Sequence, residues 1–566
     1  MRSPGEQLGD VLRDMAARGF SPRSLDAPGR AWVGDLQCRT TAVRVAIHVI
    51  DWEFLSYPRI KVLSGVDQSK LMPHLFSNGS LCYFRAGEVV LDMHRPAVAI
   101  AQCIVQAQSV LERLIFDPAF RREDLHEEFE AYWLQSDTKV SHVLLGTIGT
   151  NKPQKGSWRS TYWHLDKGDI SHFLLGDDDS ELHKLAVSLN ADTFKRLKLP
   201  CWLFETNQMP AIPAKMPTTV GELFSWMKSW DRTLYLNFQR ILGNEREYVK
   251  HKTASFAIRS PVGWLGFGFE LNPLYRKASS RTPKVLQHYL HNAGSGTPLF
   301  RLLIHDVSAK FVHSRNLTHP DLRNKQIILV GCGAIGSHVA QTLVRLGAGA
   351  GSGRLTLIDP DILLPENLGR HVLGYPYLFE LKANSLAIVL QASFPLSTIE
   401  ALTESALEFP GLFAADLVIE ATGDEAVATA MNTRHVTESP NVPVVHSWIL
   451  GNGEAVQAMW VCGDEHACYR CLRKIDPEGK LEERFPVLKD DTERRQIGCR
   501  AFTPYAISAP VQAAGQVAEM IVDWLKSRNP RPRFRTLRAE NANVQKTKNQ
   551  DVDRLKECPA CGRGSS

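Results

Sequence analysis

Two pairs of cysteines near the C-terminus have the spacing of metal ligands. Cys468 and Cys471 form one Cys-x-x-Cys pair, and Cys558 and Cys561 form the other. Two such pairs can supply the four thiolates of a closed, tetrahedral, structural zinc site. We therefore predict that these cysteines bind Zn²⁺, which would tie the C-terminus to the preceding segment. The alternative, a redox-active dithiol, leaves the two pairs unexplained as a set.

Cys499 lies between the pairs and has the features of a nucleophile. It follows a charged loop (476–495), is next to Arg500, and precedes a predicted apolar helix (509–525). A basic neighbour and a nearby helix start favour the reactive thiolate form of a cysteine. The more usual role of a lone cysteine is that of a small buried hydrophobic residue. We expect only that packing role for Cys38, Cys103, Cys201, Cys332 and Cys462.

A glycine-rich turn predicts a nucleotide-binding site. Gly331, Gly333 and Gly336 follow a predicted buried strand (Gln326–Val330) and open a predicted helix, and Asp359 ends the next predicted strand. The glycines permit a tight turn and close approach of the backbone to a phosphate at the helix N-terminus, and the acid can bind ribose hydroxyls. In this strand–turn–helix–strand context we predict nucleotide binding. The alternative is a glycine-rich turn that serves only packing.

The residues after Asp359 favour a nucleoside triphosphate over NAD. Asn367, Arg370 and Lys382 follow it and gather an amide and two cations. These groups are donors for phosphate oxygens, and arginine and lysine also supply the positive charge that a triphosphate needs.

The elements that must position these groups divide the chain into three regions and predict a multidomain α/β fold. Residues 1–140 begin with an amphipathic helix and contain strands and a helix with one buried face at Pro96–Phe116. Residues 141–300 show mixed strand and helix signals, which predict an α/β linker domain. Residues 301–566 alternate buried strands and helices, as in a Rossmann-like sheet. The remaining predicted elements of this last region are strands at 354–358, 416–420 and 442–446 and a helix at 337–346.

Composition excludes several classes of protein. With 44% hydrophobic and 22% charged residues, the 566-residue chain is not a disordered, collagen-like or disulfide-framework protein. The net charge of +5 is too small to indicate nucleic-acid binding. Charged residues interrupt the N-terminal segment, so we expect no signal peptide, and we also expect no membrane span. These observations predict a cytoplasmic protein.

The C-terminal region resembles the adenylation domains of ubiquitin-activating enzymes and of the sulfur-carrier adenylyltransferases of thiamin and molybdopterin synthesis. The resemblance implies ATP binding and a catalytic role for Arg370. The family's Mg²⁺-holding acid corresponds to Gly423, with Asp424 one residue later, so Asp424 is the expected Mg²⁺ ligand. Arg315 would be the arginine that dimeric relatives contribute across their interface. The residues that match the family's nucleotide pattern are Gly331, Gly333, Gly336, Asp359, Asn367, Arg370 and Lys382.

The cysteines fit the same resemblance. The paired knuckles are similar to those that hold zinc in the sulfur-carrier adenylyltransferases. Cys499 corresponds to the cysteine that, in activating enzymes, lies on the loop crossing over the adenylate and takes the acyl group as a thioester.

An N-terminal segment resembles the active-site segment of ubiquitin-conjugating enzymes, because Pro73, Gly79 and Cys82 fall at that family's spacing. The resemblance implies that Cys82 is a nucleophile. His74 replaces the family's asparagine, which stabilises the oxyanion formed when an amine attacks the thioester. A neutral imidazole N–H can donate the same hydrogen bond, and the ring can also take a proton. We therefore expect His74 to assist Cys82; the alternative is a structural histidine.

The two domain types on one chain resemble the bacterial fused activating–conjugating proteins of anti-phage operons, and most closely the ligase of cyclic-oligonucleotide signalling (CBASS) systems. The resemblance implies that a donor protein's C-terminal tail is adenylated, passed to Cys499 and then Cys82, and transferred to a lysine of a target. The donor would be a cGAS-like nucleotidyltransferase or, in a related operon type, a ubiquitin-like protein. It also implies a homodimer that binds neither membrane nor nucleic acid. The rival functions are a sulfur-carrier adenylyltransferase with an N-terminal interaction module and a nucleotide-sensing scaffold.

Overall fold

The computed structural model describes residues 4–24, 28–67, 70–76, 78–85, 87–134, 140–148, 158–167, 170–190, 193–463, 465–497, 500–527, 529–540 and 542–562. The chain divides into two compact units. The first comprises Met1–Val143, Thr150–Tyr162 and Arg196–His305, and the second comprises Leu144–Gly149, Trp163–Lys195 and Asp306–Ser566.

The N-terminal part of the first unit is a five-stranded antiparallel sheet packed against helices. The strands follow one another in the order β1-β2-β3-β4-β5. Side chains on one face of the sheet are buried, because polar and apolar residues alternate along the strands. The strands are β1 (Ser21–Arg23), β2 (Arg30–Cys38), β3 (Thr41–Val49), β4 (Arg59–Ser64) and β5 (Ser80–Leu81), and the helices are α1 (Pro4–Ala17), α2 (Pro96–Phe116), α3 (Pro118–Glu127) and α4 (Phe129–Leu134).

Helix α2 begins with Pro96 in its first turn, as its sequence predicts, and supplies the core of this part. By length and composition alone it could cross a membrane, a test that the core helix of a folded protein also passes. Its apolar stripe, which includes Ile100, Cys103 and Leu111, instead packs in the core formed with the sheet residues Val45 and Ile47. The helix is therefore accounted for as the core helix of a folded domain.

The middle of the chain contains seven strands that form a closed barrel in the order β10-β11-β12-β6-β8-β7-β9. Strand β10 pairs with β9 in parallel and with β11 in antiparallel orientation. The strands are β6 (Val140–Leu145), β7 (Trp158–Lys167), β8 (Ile170–Gly176), β9 (Thr193–Glu205), β10 (Thr253–Ser260), β11 (Gly263–Glu270) and β12 (Leu299–Asp306), and the helices are α5 (Asp179–Ser188), α6 (Val220–Trp230), α7 (Arg232–Asn244), α8 (Pro273–Ala278) and α9 (Lys284–His291).

The second unit is built on a seven-stranded sheet with helices around it. Its order is β15-β14-β13-β16-β17-β18-β23; the first five strands are parallel, and β18 and β23 are antiparallel. The strands of this sheet are β13 (Gln326–Val330), β14 (Arg354–Ile358), β15 (Ile399–Leu402), β16 (Leu417–Glu420), β17 (Val444–Leu450), β18 (Ala455–Val461) and β23 (Phe534–Arg538). Two separate pairs of strands are β19 (Arg473–Ile475) with β20 (Leu481–Glu483) and β21 (Arg495–Ile497) with β22 (Arg500–Phe502). The helices are α10 (Ala309–Ser314), α11 (Ala334–Arg345), α12 (Lys382–Ser393), α13 (Glu425–Glu438) and α14 (Ser508–Ser527).

The parallel part of this sheet matches the predicted α/β pattern. Strands β13 and β14 have the predicted bounds, whereas α11 begins three residues before the predicted helix, directly after the glycine-rich turn. The carboxyl ends of β13, β14 and β16 lie side by side at one edge, since these strands are parallel neighbours. Ligands of open α/β sheets bind at that edge.

Candidate functional site

The glycine-rich turn has a conformation that requires its glycines. Gly331 has φ +86°, and a Cβ atom at Gly336 would overlap the carbonyl oxygen of Gly331. Gly333 is the N-cap of α11, and no side-chain hydrogen bond caps the helix there. The space beside it is open, since a Cβ atom at Gly333 would meet nothing within 4 Å. The helix N-terminus is thus left without a side-chain partner at its cap, which is the arrangement that binds a phosphate.

Asp359 is buried and bound to the turn. Its Oδ2 accepts from the backbone N–H of Cys332 at 2.6 Å, and its Oδ1 accepts from the N–H of Asp361 at 2.8 Å. Burial raises the pKa of this carboxyl, and the two backbone donors partly offset that increase. The side chain therefore joins β14 to the glycine-rich turn.

The structure brings Lys382 and Arg370 to the same region. The Nζ atom of the buried Lys382 lies 3.0 Å from Oδ2 of Asp361. The guanidinium of Arg370 stacks over the ring of Tyr505, 4.5 Å from its centroid. Next to Arg370, His371 donates from Nε2 to the carbonyl of Cys332 at 2.6 Å. Lys382 is thus connected to the turn through Asp361 and Asp359, and Arg370 is next to His371, which bonds the turn's backbone.

Burial lowers the pKa of His371 to about 4, so this ring is neutral at pH 7. The side chain of Asn367 makes a local hydrogen bond: its Oδ1 accepts from the N–H of Leu364 at 2.9 Å. Arg315 is exposed and contacts Asn316 at 3.3 Å and the ring of Phe311. Neither of those contacts joins Arg315 to the turn.

Asp424 follows the end of β16 and caps α13. Its Oδ1 accepts from the backbone N–H groups of Ala426 at 2.8 Å and Val427 at 3.2 Å, and the residue is exposed. Its carboxylate lies at the same sheet edge as the glycine-rich turn, because β16 pairs with β13. A carboxylate in this place suits a hard cation such as Mg²⁺.

Cys499 lies outside the described residues, but the strands on either side of it are described. Strand β21 ends at Ile497 and pairs with β22, which begins at Arg500. The amide of Asn452 contacts both approaches to this hairpin: Nδ2 donates to the carbonyls of Glu493 at 3.0 Å and Pro504 at 2.9 Å, and Oδ1 accepts from the N–H of Glu493 at 2.8 Å. Asn452 therefore holds the two ends of the segment that carries Cys499.

The four paired cysteines lie together. All four Sγ atoms are within 4.8 Å of one another, and the measured separations include 3.9 Å for Cys468–Cys471, 3.8 Å for Cys468–Cys558 and 3.4 Å for Cys471–Cys561. A tetrahedral site with Zn–S bonds of about 2.3 Å has S–S edges of about 3.8 Å. The geometry therefore fits a metal bound by four thiolates.

Cys82 is half-buried and lies next to His74. The N–H of Cys82 donates to the carbonyl of His74 at 2.7 Å, and the Sγ–H of Cys82 donates to the carbonyl of Phe84 at 3.7 Å. His74 has φ +60°, an uncommon conformation for a residue with a Cβ atom. Its Nε2 is 2.7 Å from Oδ2 of Asp124, and its Nδ1 is 2.9 Å from Oε1 of Glu128.

The thiol of Cys82 and two carboxylates together determine the charge of His74. Burial alone lowers the pKa of the ring, but hydrogen bonds to Cys82, Glu128 and Asp124 outweigh that effect and raise the pKa to about 10. Although burial opposes the change, contacts with His74 hold the pKa of Glu128 below its usual value. At neutral pH, His74 is therefore an imidazolium and cannot take a proton, in contrast to the neutral ring considered from the sequence.

Sequence reasoning missed several residues of these two sites. Asp124 and Glu128 lie at the junction of α3 and α4, far from Cys82 along the chain, and Asp361 and Asn452 lie in turns. Four of the five cysteines expected to pack are buried, and Cys462 is half-buried. The spacing of Asp124 and Glu128, four residues apart at the end of a helical segment, is the local signal that both carboxylates lie on one face.

Comparison with known proteins identifies both domains. Residues 309–560 match the ThiF family, and residues 15–141 match Prokaryotic E2 family B. The predicted fold class is therefore confirmed: a multidomain α/β protein with a conjugating-type N-terminal domain, a Rossmann-like C-terminal domain and a C-terminal cysteine cluster.

Three relatives are similar over most of their length, and each is an ATP-dependent ubiquitin transferase-like protein Cap2. The Pseudomonas aeruginosa protein is 30% identical over 518 residues, covering 90% of either chain. The Escherichia coli protein is 23% identical, covering 92% of this chain and 91% of its own, and the Vibrio cholerae protein is 24% identical, covering 84% and 85%. The chain is an ATP-dependent adenylating and conjugating enzyme that acts on a protein partner, and it belongs to the Cap2 family of ATP-dependent ubiquitin transferase-like proteins.

Proposed function

We propose that this enzyme joins the C-terminus of a donor protein to a lysine of a target through two successive thioesters. The observation that carries the proposal is the Cys82 site, where a thiol lies beside an imidazolium held by two carboxylates, on the same chain as the nucleotide-binding turn. An adenylating enzyme that only activates its substrate needs no second nucleophile of this kind.

The reaction sequence balances at each step. The donor's carboxylate attacks the α-phosphate of ATP, and pyrophosphate leaves. The Cys499 thiolate then attacks the acyl-adenylate and AMP leaves. The Cys82 thiolate next attacks the Cys499 thioester and releases Cys499. Finally a lysine amine attacks the Cys82 thioester, loses a proton and releases the Cys82 thiolate, which leaves an amide bond. Each thioester preserves the activation that ATP supplied.

At the nucleotide site, the glycine-rich turn and the N-terminus of α11 bind phosphate. Arg370 and Lys382 neutralise phosphate charge, with Arg370 acting on the transition state, and Asn367 donates from its amide. Asp424 would hold Mg²⁺, and the ion would supply positive charge to the phosphates. Asp359 positions the turn and binds ribose. These assignments are supported by the contacts that connect Asp359 and Lys382 to the turn.

At the conjugating site, the charge of His74 favours the oxyanion of the tetrahedral intermediate formed at the thioester carbonyl. Asp124 and Glu128 keep that charge in place, and their remaining negative potential attracts the ammonium group of the acceptor lysine. The proximity of Cys82, His74 and the two acids supports this division of roles.

The four-cysteine cluster binds Zn²⁺ as a structural ion, a choice supported by the buried all-thiolate donor set and its tetrahedral separations. In this proposal the donor is the C-terminal tail of a cGAS-like nucleotidyltransferase in a CBASS operon, or of a ubiquitin-like protein in a related one. The enzyme is a cytoplasmic homodimer in which Arg315 reaches the partner's nucleotide site. It consists of a conjugating-type domain (1–140), a linker domain (141–300) and an adenylation domain (301–566).

Replacing Cys82 by serine tests the proposal. Incubation of the C82S enzyme with Mg·ATP and the donor encoded beside its gene should produce an ATP-dependent oxyester at residue 82, or no conjugate, while adenylation continues. Matched C103S enzyme, altered at a buried packing cysteine of the same domain, should retain conjugation. Unchanged conjugate with C82S enzyme would refute the role of Cys82 and favour a sulfur-carrier adenylyltransferase, and absence of adenylation with every tail tried would favour a scaffold.

A further inference from the structure

The first cysteine pair is attached to the segment that carries Asp424 by three separate contacts. The first is a bidentate ion pair. Arg473, two residues after Cys471, places Nε 2.6 Å and Nη2 3.0 Å from the carboxylate oxygens of Glu425. Glu425 is the first residue of α13 and follows Asp424 directly. A bidentate pair fixes both distance and orientation, so this contact sets where α13 begins.

The second contact lies further along α13. Asn432 is fully buried; its Nδ2 donates to Sγ of Cys468 at 3.4 Å, and its Oδ1 accepts from the N–H of Tyr469 at 2.9 Å. One side chain of the helix capped by Asp424 is therefore bound to a cysteine of the cluster and to the residue that follows it. A buried amide that loses these partners carries the full penalty of desolvation, so the contact resists separation.

The third contact passes through the core. The ring of Tyr469 stacks on His446 at 4.6 Å between centroids, and Nδ1 of His446 lies 3.1 Å from Oε2 of Glu420. The other carboxylate oxygen of Glu420 accepts from the N–H and hydroxyl of Thr422 at 2.9 and 2.6 Å. The hydroxyl oxygen of Thr422 in turn accepts from the N–H of Asp424 at 3.1 Å.

Glu420 and His446 are 2% and 0% exposed, which makes this third contact a buried polar network. Such a network is stable only while each member keeps its partners. The segment 420–425 is thus held at its start by Glu420, in its middle by Thr422 and at its end by Glu425. Each of the three contacts connects this segment, or the helix that follows it, to residues 468–473.

We propose that the first cysteine pair positions Asp424, so that metal binding by the four cysteines strengthens binding of Mg·ATP at the sheet edge. Arg473, Asn432, His446 and Glu420 are positioning residues in this scheme. The cation gathers four thiolates that would otherwise repel one another, and this fixes the backbone of 468–473 from which the three contacts extend. The inference rests on the proposed function in one respect, the role of Asp424 as Mg²⁺ ligand.

The attachment is tested by hydrogen exchange on the full chain. Arg473→Gln removes the ion pair with Glu425 together with a second one to Glu483 at 2.8 Å, and His446→Leu removes the buried network. The control is Lys474→Gln, because Lys474 is the next residue and pairs with Glu482 at 3.2 Å on the neighbouring strand. We expect exchange of amides 422–427 to increase about fivefold in both variants, the effect of one lost hydrogen bond, and to stay unchanged in the control. Zinc content, measured by atomic emission, should be the same in all three.

The linkage is tested by calorimetric titration of the same proteins with ATP, with and without added Mg²⁺. We expect the Mg²⁺-dependent gain in affinity to fall about fivefold in both variants, and the Mg²⁺-free affinity to stay constant. The charge exchange Arg473→Glu with Glu425→Arg should restore part of that gain. Unchanged hydrogen exchange of amides 422–427 in the variants would refute the attachment of this segment to the first cysteine pair, regardless of the result of the ATP titration. Increased exchange with an unchanged Mg²⁺-dependent gain would overturn the linkage, and absence of that gain in the unaltered protein would refute Asp424 as Mg²⁺ ligand.

Discussion

Replacement of Glu128 by glutamine tests whether the charge of His74 serves the Cys82 site. The pKa of His74 is raised from 6.5 to about 10, which corresponds to a preference for the charged ring of at most about 5 kcal/mol. A single nearby carboxylate changes a pKa by about 1 to 3. We therefore expect the pKa of His74 in the variant to lie at about 8, with Asp124 still in place. Glutamine keeps the size of the side chain and removes its charge.

The effect on stability has a defined pH window. Because the folded-state pKa of His74 is raised, its contribution to stability is complete below pH 6.5 and is lost as the pH rises towards 10. The unaltered protein and the Glu128→Gln variant should therefore differ most in free energy of unfolding near pH 6.5. The difference should shrink as the pH rises from 8 to 10, where the ring is still half protonated in the unaltered protein, and should vanish by about pH 11.

The assay has two readouts. Side-chain ¹⁵N spectra of His74 report its pKa directly, and single-turnover transfer from the Cys82 thioester to free lysine reports chemistry. We expect this transfer to slow about tenfold at pH 9, where the protonated fraction of His74 falls from about nine-tenths to about one-tenth. Glu127→Gln is the control, since Glu127 is adjacent but pairs with Arg85 at the surface. A His74 pKa near 6.5 in the unaltered protein would refute the electrostatic argument. Equal slowing in both variants would refute the specific role of Glu128.

Three further predictions follow from contacts in the second unit. Replacing a glycine by alanine within a helix usually stabilises the helix by about 1 kcal/mol. At Gly336 the added Cβ would overlap the carbonyl oxygen of Gly331, so we expect Gly336→Ala to lower the melting temperature and to abolish ATP binding measured by calorimetry. Asn452→Leu should leave adenylation intact and reduce thioester formation at Cys499 about tenfold in a gel-shift assay. An unaffected thioester would show that the contacts of Asn452 with Glu493 and Pro504 are dispensable. Removal of metal from the four-cysteine cluster by a chelator should lower the melting temperature of the unaltered protein. The same chelator should leave the melting temperature of a variant that lacks one of those thiols unchanged.

Sequence motifs predicted those parts of the fold that depend only on residues close together in the chain. The strand Gln326–Val330 and the glycine-rich turn were predictable, because a buried apolar run followed by obligatory glycines has one structural solution. The gathering of the cysteine pairs was predictable from chemistry, since only a shared metal explains two pairs. The roles of these residues remain predictions.

Long-range partners were not predictable from these patterns. The carboxylates around His74 come from the end of α3 and depend on a positive φ that no rule assigns to a histidine. The barrel of the middle region escaped prediction because its strands are interrupted by helices and pair out of sequence order, as β6 does with β12. Antiparallel β18 was missed because a fully buried strand lacks alternation.

The position of Glu128 between α3 and α4 limits how far the conjugating domain can be treated as a module. Phe129 and Trp133, which follow it, are fully buried in a core shared with Phe267 and Trp226 of the middle region. His126, just before it, lies 2.9 Å from the carbonyl of Pro210. Excision of residues 1–134 would expose two large aromatic side chains and release the helix junction beside the active cysteine. Transplanting this domain into another enzyme would therefore require the α4 binding surface to be carried with it.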